Sequence, residues 1–364
     1  MVYSGRIVLR KDETLLRQFK KMMSLFLCLL LLTASLLGCG TTQKKVSKTG
    51  FYFDTMITVT LYGTNDSSLL DACFLLADTY EKKLSNTIAD SEISKINAAG
   101  GTYVTVSDDT LALIQDGIRY GDISHGAFDI TIGPLSDLWN FSQIAEESKS
   151  EDNEVDASVV PSRQAIRNAC SHVDYKTIAI KGNQVRLKAP DAKLDLGGIA
   201  KGFIADKMRS FLNEKGVTTG IISLGGNVLT LGEKADGSSY TIGIQKPFAE
   251  TGTSLGILHV KDASVVSSGI YERYYRVGDK LYHHILDPAS GYPVENDLYQ
   301  VTIISTVSMD GDALSTTCFS LGLTDGMQLI EQMDGIEAIF VTSDGTISYS
   351  SGINNGSGLT FSET

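Results

Sequence analysis

Asp312 and Thr316 stand four residues apart in Gly311-Asp312-Ala313-Leu314-Ser315-Thr316-Thr317. On a helix that spacing puts a carboxylate and a hydroxyl on one face. Two hard oxygen donors on one face suit Mg²⁺ that also touches substrate phosphates. An N-capping Asp with a back-bonded Thr has the same pattern. A second stretch, Leu194-Asp195-Leu196-Gly197-Gly198-Ile199-Ala200-Lys201-Gly202, runs from a strand through two glycines into a helix. Free N–H groups, the positive end of the helix dipole and Lys201 would make this junction a phosphate site. A plain strand-to-helix turn with a solvated lysine reads the same way.

Two further stretches carry polar groups among apolar ones. In Tyr282-His283-His284-Ile285-Leu286-Asp287-Pro288 the histidines are adjacent. On a strand they point to opposite faces, so one is expected in a pocket and the other in solvent, a poor zinc pair. In Gly126-Ala127-Phe128-Asp129-Ile130-Thr131-Ile132-Gly133-Pro134-Leu135, just before the chain's single tryptophan, Trp139, Asp129 precedes a Gly-Pro turn. It is either a turn carboxylate or an acceptor for a heterocycle.

The elements that must position these residues follow from periodicity. Phe51 to Tyr62 alternates as a strand, and Leu69, Cys73, Leu76, Tyr80 and Leu84 recur at helical spacing. Ser107-Asp108-Asp109 opens a capped helix. Gln143 to Ser162 is acidic and poor in large apolar groups, which predicts a solvated loop. From Lys176 onward short strands dominate, interrupted by helices over about Ile199–Lys215 and Asp310–Leu321. Strand runs broken by helices, without regular β-α-β alternation, predict an α+β fold on mostly antiparallel sheet.

The order of the motifs is more specific than any one of them. Asp54-Thr55-Met56 comes first, then Leu84-Ser85 with Ser91–Asn97, then Gly126–Leu135 and Asp195–Gly202. Leu224-Gly225-Gly226-Asn227, Ser267-Ser268-Gly269 with Tyr271-Glu272-Arg273, His284–Pro288 and Asp312–Thr316 complete the series. This succession, from about Phe51 to Met333, resembles the ApbE family, the FAD:protein FMN transferases. The resemblance implies a T-fold-like α+β architecture with flanking helices and an FAD cleft between lobes. It implies Mg²⁺ held by a main-chain oxygen of Gly198 and the side chains of Asp312 and Thr316. It implies FAD contacts from Met56, Thr87, Asp129, Lys201, Ile285 and Leu286, with His284 and Asp312 catalytic. Two departures stand out. Asn86-Thr87-Ile88 occupies a place where the family often has an aromatic residue, and Ser267 replaces a more usual Thr.

The N-terminus reads as an address. Lys20 and Lys21 precede an apolar run from Met22 to Leu37, which closes in Leu36-Leu37-Gly38-Cys39 and resembles a bacterial lipobox. The expectation is a signal peptide over 1–38, lipid attachment at Cys39, a tether over 39–50 and one domain over 51–364. The protein is expected on the extracytoplasmic face of the cell membrane. The leader holds six of the 31 basic and two of the 43 acidic residues; the remaining 25 and 41 give the mature chain a net charge of −16. Such a surface repels phosphate backbones, which argues against a nucleic-acid partner. The five cysteines form no metal-ligand spacing; Cys28 and Cys39 belong to the N-terminal segment, and the scattered Cys73, Cys170 and Cys318 read as buried thiols.

The expected reaction moves FMN from FAD to a Ser or Thr of an exported or membrane-associated target protein and releases AMP. Hydrolysis of FAD by water at the same site, and a non-catalytic flavin-binding lipoprotein, are the alternatives.

Overall fold

The computed structural model describes residues 44–148, 153–356 and 358–364. The apolar leader and Cys39 lie outside the described residues. Lys45–Thr364 forms one compact unit.

Its strands are β1 (Lys45–Tyr52), β2 (Thr55–Tyr62), β3 (Val104–Thr105), β4 (Ile178–Lys181), β5 (Gln184–Leu187), β6 (Gly220–Leu224), β7 (Asn227–Leu231) and β8 (Tyr240–Gln245). They continue with β9 (Ser254–Val260), β10 (Ser264–Gly269), β11 (Tyr274–Val277), β12 (Lys280–His283), β13 (Leu298–Ser305), β14 (Glu337–Thr342), β15 (Ile347–Tyr349) and β16 (Thr360–Glu363). The α-helices are α1 (Ser68–Leu84), α2 (Glu92–Ala98), α3 (Asp108–Ile123), α4 (Gly133–Trp139), α5 (Phe141–Glu147), α6 (Arg163–Cys170), α7 (Ala200–Glu214) and α8 (Ser308–Ile330).

One sheet organises the molecule, in the order β1-β2-β6-β7-β10-β13-β14-β15, and its neighbouring strands pair antiparallel. Alternation decides which layer each side chain joins. Val301 and Ile303 of β13 and Ala338 and Phe340 of β14 pack with the helices. Ile304, Ile339 and Val341 pack instead against a second sheet, β16-β9-β8. Helices, large sheet and small sheet therefore form three layers, so β13 is buried along nearly its whole length. A third apolar cluster, with Leu135, Trp139, Phe141, Ile166, Tyr275 and Leu286, builds a separate lobe from α4–α6 and the β11–β12 hairpin. The lone tryptophan is central to it. The Trp139 ring stacks on Phe141 at 5.6 Å and its Nε1–H donates to the Gly291 carbonyl at 2.7 Å.

The α+β expectation and the mostly antiparallel sheet hold. Several local expectations are corrected. Phe51–Tyr62 is not one strand: the chain turns at Phe53 and Asp54, both at positive φ, and β1 pairs back on β2. Within the stretch predicted as a tether, residues from Lys45 are strand. The acidic stretch begins as α5, and Val155 N–H and Arg276 N–H exchange bonds with the Arg276 and Asn153 carbonyls at 2.9 Å, tying its later part to β11. The helix predicted over 310–321 starts at Ser308 and continues past a break at Gly322, whose φ of 81° suits glycine. The buried-thiol reading holds for Cys73 and Cys318, while Cys170 is half-buried.

Among the described residues no helix is long and apolar enough to cross a membrane.

Candidate active site

Helices α7 and α8 touch so closely that one residue between them must be glycine. A Cβ on Gly202 would lie 2.3 Å from the Ser308 carbonyl oxygen and 2.6 Å from the Met309 Cα. This approach sets Asp312, on α8, against the first turn of α7. Asp312 is 4% exposed, and its Oδ2 accepts the Gly202 backbone N–H at 2.9 Å. A carboxylate at the N-terminus of a helix is stabilised by the dipole. Asp312 thus caps a helix, but the neighbouring one rather than its own. Its Oδ1 faces the Lys201 Nζ at 3.7 Å.

The glycine turn before α7 is shaped from within. Asp195 Oδ1 accepts the Gly197 N–H at 2.9 Å, and the Lys201 ammonium donates to the Gly197 carbonyl at 2.8 Å. Some of the N–H groups expected to be free at this junction are therefore engaged, at Gly197 by Asp195 and at Gly202 by Asp312. Gly198 sits where a Cβ would lie 3.0 Å from the Phe128 ring and 3.8 Å from the Thr316 hydroxyl. The spacing of Asp312 and Thr316 does put both on one wall, since they line the same cleft with Gly198 and Lys201.

That cleft encloses about 920 Å³ between the large sheet, the small sheet and the third-cluster lobe. It also takes in Asp129, His284, Ile285 and Leu286. Met56 and Thr87 are not among its lining. Met56 points to solvent from β2, 54% exposed, and its neighbours Asp54 and Thr55 reach the cleft instead. Thr87 lies exposed in a turn after α1, its hydroxyl bonded to that of Ser85 at 2.9 Å.

Asp129 is chiefly a turn carboxylate. It accepts the Thr131 N–H and hydroxyl at 2.7 and 2.6 Å and the Tyr175 N–H at 2.9 Å. Burial holds its pKa above the usual carboxylate range despite those bonds.

The histidine expectation is half right. His284 faces the cleft, but His283 does not face solvent; it is 6% exposed and meets the Phe319 ring edge-on at 5.8 Å. β12 ends at His283, so strict alternation stops there. The Arg273 carbonyl lies 3.2 Å from His284 Nδ1. A carbonyl only accepts, so Nδ1 carries the proton and Nε2 keeps its lone pair. Burial, reinforced by Arg273, pushes this imidazole down to about 3, so it is neutral at pH 7.

Two charged residues of the cleft, Glu272 and Arg273, follow Ser267-Ser268-Gly269. Periodicity gives them no role; their place in the Tyr271-Glu272-Arg273 motif is the signal that marks them. Glu272 is open to the cleft but enclosed by its walls. That desolvation pushes its carboxyl up to about 7, against Lys201 and Arg273, which pull it down.

Among the described residues no three His, Cys, Asp or Glu side chains gather as a metal cluster. One carboxylate with neutral oxygens from Thr316 and the Gly198 main chain is nonetheless a donor set that fits Mg²⁺, which keeps waters and substrate phosphates in its remaining positions.

The ApbE family model matches residues 53–340. An FAD:protein FMN transferase of Klebsiella pneumoniae (strain 342) is 40% identical over 289 residues, 79% of this chain and 86% of that protein. One of Treponema pallidum (strain Nichols) is 32% identical over 300 residues, 78% of this chain and 80% of that protein. The crystal structure of the ApbE protein of Thermotoga maritima superposes with a TM-score of 0.75 at 30% identity, covering 85% of this chain and 97% of that one.

Proposed function

The chain belongs to the ApbE family of FAD:protein FMN transferases, and we propose that it moves FMN from FAD onto a Ser or Thr hydroxyl of a target protein and releases AMP. The observation that carries this reading is a convergence. Gly198 and Lys201 at the start of α7, Asp312 and Thr316 on α8, and His284 after β12 line one cleft.

In this mechanism the diphosphate of FAD lies across the Gly197–Gly198 turn, with Lys201 as its cation. Asp312, Thr316 and the Gly198 carbonyl would hold Mg²⁺, which supplies charge neutralisation on the diphosphate. The target hydroxyl attacks the phosphorus on the FMN side, in line with the bond to AMP. His284 Nε2 accepts a hydrogen bond from the hydroxyl and orients it, a nearby carboxylate takes its proton as the new P–O bond forms, and the bond to AMP breaks with its electrons on the AMP phosphate. The neutral state and tautomer of His284 support that role.

Export as a lipoprotein anchored at Cys39 on the extracytoplasmic face is part of the same proposal. Its support is the basic flank, the apolar run and the Leu36-Leu37-Gly38-Cys39 ending.

The test is to incubate the full-length chain with FAD, Mg²⁺ and a candidate target bearing a flexible Ser or Thr. AMP is expected in step with flavin retained on that target, read by mass spectrometry. Rapid FAD cleavage with no flavin held by any Ser/Thr-bearing target would replace the transferase reading with hydrolysis.

A further inference from the structure

One wall of the cleft takes no part in the chemistry above. It belongs to the connection between β8 and β9, which is held in a single shape by Gln245. The Gln245 Nε2 donates to the carbonyls of Lys246, Ala249 and Glu250 at 3.0, 3.4 and 3.1 Å, and its Oε1 accepts the Gly252 N–H at 2.8 Å. Within that frame Phe248 has a φ of 56°, the left-handed region that a large side chain rarely occupies. Strain of this kind persists only where the surroundings impose it, and it gathers at binding positions.

The Phe248 ring has three aromatic neighbours, Tyr271 at 6.1 Å, Tyr274 at 5.4 Å and Tyr299 at 5.1 Å. Their planes meet it at 66°, 80° and 78°, so none of the three lies parallel on it. Phe248 is still 38% exposed, and Gln245, Phe248, Tyr271 and Tyr274 all line the cleft. A side chain that merely plugged its loop would be covered by three such partners. A ring steadied edge-on and left open toward the cleft is suited to receive a further planar ring by offset stacking.

FAD carries two planar heteroaromatic ring systems, one on each side of its diphosphate. A diphosphate seated at Gly198 and Lys201 therefore calls for ring-binding surface in two directions. Leu286 of the third-cluster lobe, with its chain neighbour Ile285, offers one apolar wall, and the small sheet with Phe248 offers the other. We propose that Phe248 is a binding residue that stacks on one heteroaromatic ring of FAD and so fixes the dinucleotide along the cleft. This rests on the flavin-transferase reading.

The experiment measures FAD affinity of the full-length chain in the presence of Mg²⁺, with FMN and AMP as separate competitors, for the unaltered protein, Phe248→Leu and Phe248→Trp. Leucine keeps apolar bulk over the tyrosines and removes the aromatic face; tryptophan keeps the face. Phe248→Leu is expected to bind FAD about three- to ten-fold more weakly, the worth of one aromatic pair. Phe248→Trp should restore the affinity. Loss of competition by FMN alone assigns the isoalloxazine ring, with flavin fluorescence quenched further in Phe248→Trp; loss of competition by AMP alone assigns adenine. Phe248→Leu binding FAD as tightly as the unaltered protein overturns the proposal while the flavin-transferase reading stands. So does a loss that falls equally on FMN and AMP and is accompanied by a lower unfolding temperature. An unaltered protein that binds neither FAD nor its halves overturns both.

Discussion

His283 and His284 are neighbours in the chain yet are held as opposite tautomers. His283 Nε2 lies 3.1 Å from the Val294 carbonyl and its Nδ1 accepts the Ile285 N–H at 3.3 Å, so its proton is on Nε2. His284 has its proton on Nδ1, against the Arg273 carbonyl at 3.2 Å. The first ring is locked into the core on both nitrogens. The second is locked on one side only, which leaves an accepting nitrogen on a residue of the cleft wall.

The pH dependence of stability follows for His283. Burial pushes its imidazole down to about 4 in the folded chain, whereas the unfolded chain protonates near 6.5. Between those values the unfolded state binds the extra proton, so stability is fully present above pH 6.5 and is lost as pH falls toward 4. The slope is up to about 1.4 kcal/mol per pH unit for this one group. Urea unfolding at pH 6.5 and 4.5 should show a smaller acid loss in His283→Gln, which retains a donor for Val294. Equal losses in the two proteins would mean that the native ring takes up protons freely.

Asp312 combines a structural bond with a charge, and two variants separate them. Asp312→Asn keeps an acceptor for the Gly202 N–H but removes the charge facing Lys201. Transfer is expected to fall about a hundred-fold or more, with unfolding little changed. Asp312→Ala also orphans the buried N–H and should cost a further 1–3 kcal/mol or so of stability. Full transfer by Asp312→Asn at ordinary Mg²⁺ would reduce this residue to a helix cap.

Gly202→Ala tests the contact that brings the two helices together. Its Cβ would enter the Ser308 and Met309 backbone, which cannot swing aside as a side chain can. A loss of about 1–3 kcal/mol is expected from overpacking, together with reduced transfer as Asp312 moves off the first turn of α7. An unshifted denaturation midpoint for Gly202→Ala would show that the helices separate without penalty.

Cys39→Ser tests the anchor. The variant should leave the membrane fraction or accumulate unprocessed. Unchanged membrane association at unchanged mass would mean that another segment holds the protein.

Much of this was legible in one dimension because it depends on local spacing. The helical spacing of Leu69, Cys73, Leu76, Tyr80 and Leu84 marks a helix that the structure has over Ser68–Leu84. The four-residue step from Asp312 to Thr316 is enough to put both on one wall, since helical geometry is set by the backbone alone. The order of eight motifs sufficed for the family. What local pattern does not contain is which distant element each side chain meets. The carboxylate of Asp312 caps a helix that begins 112 positions earlier because Gly202 lets two backbones approach, and no periodicity encodes that meeting. His283 is dry because Phe319 and Val294 fold over it, while Met56 and Thr87, adjacent to cleft motifs in sequence, end outside the cleft. Phe248 has no motif at all. Its exposure, strain and tyrosine neighbours exist only after β8, β9 and β13 have packed, because burial and desolvation belong to the assembled layers and not to any single segment.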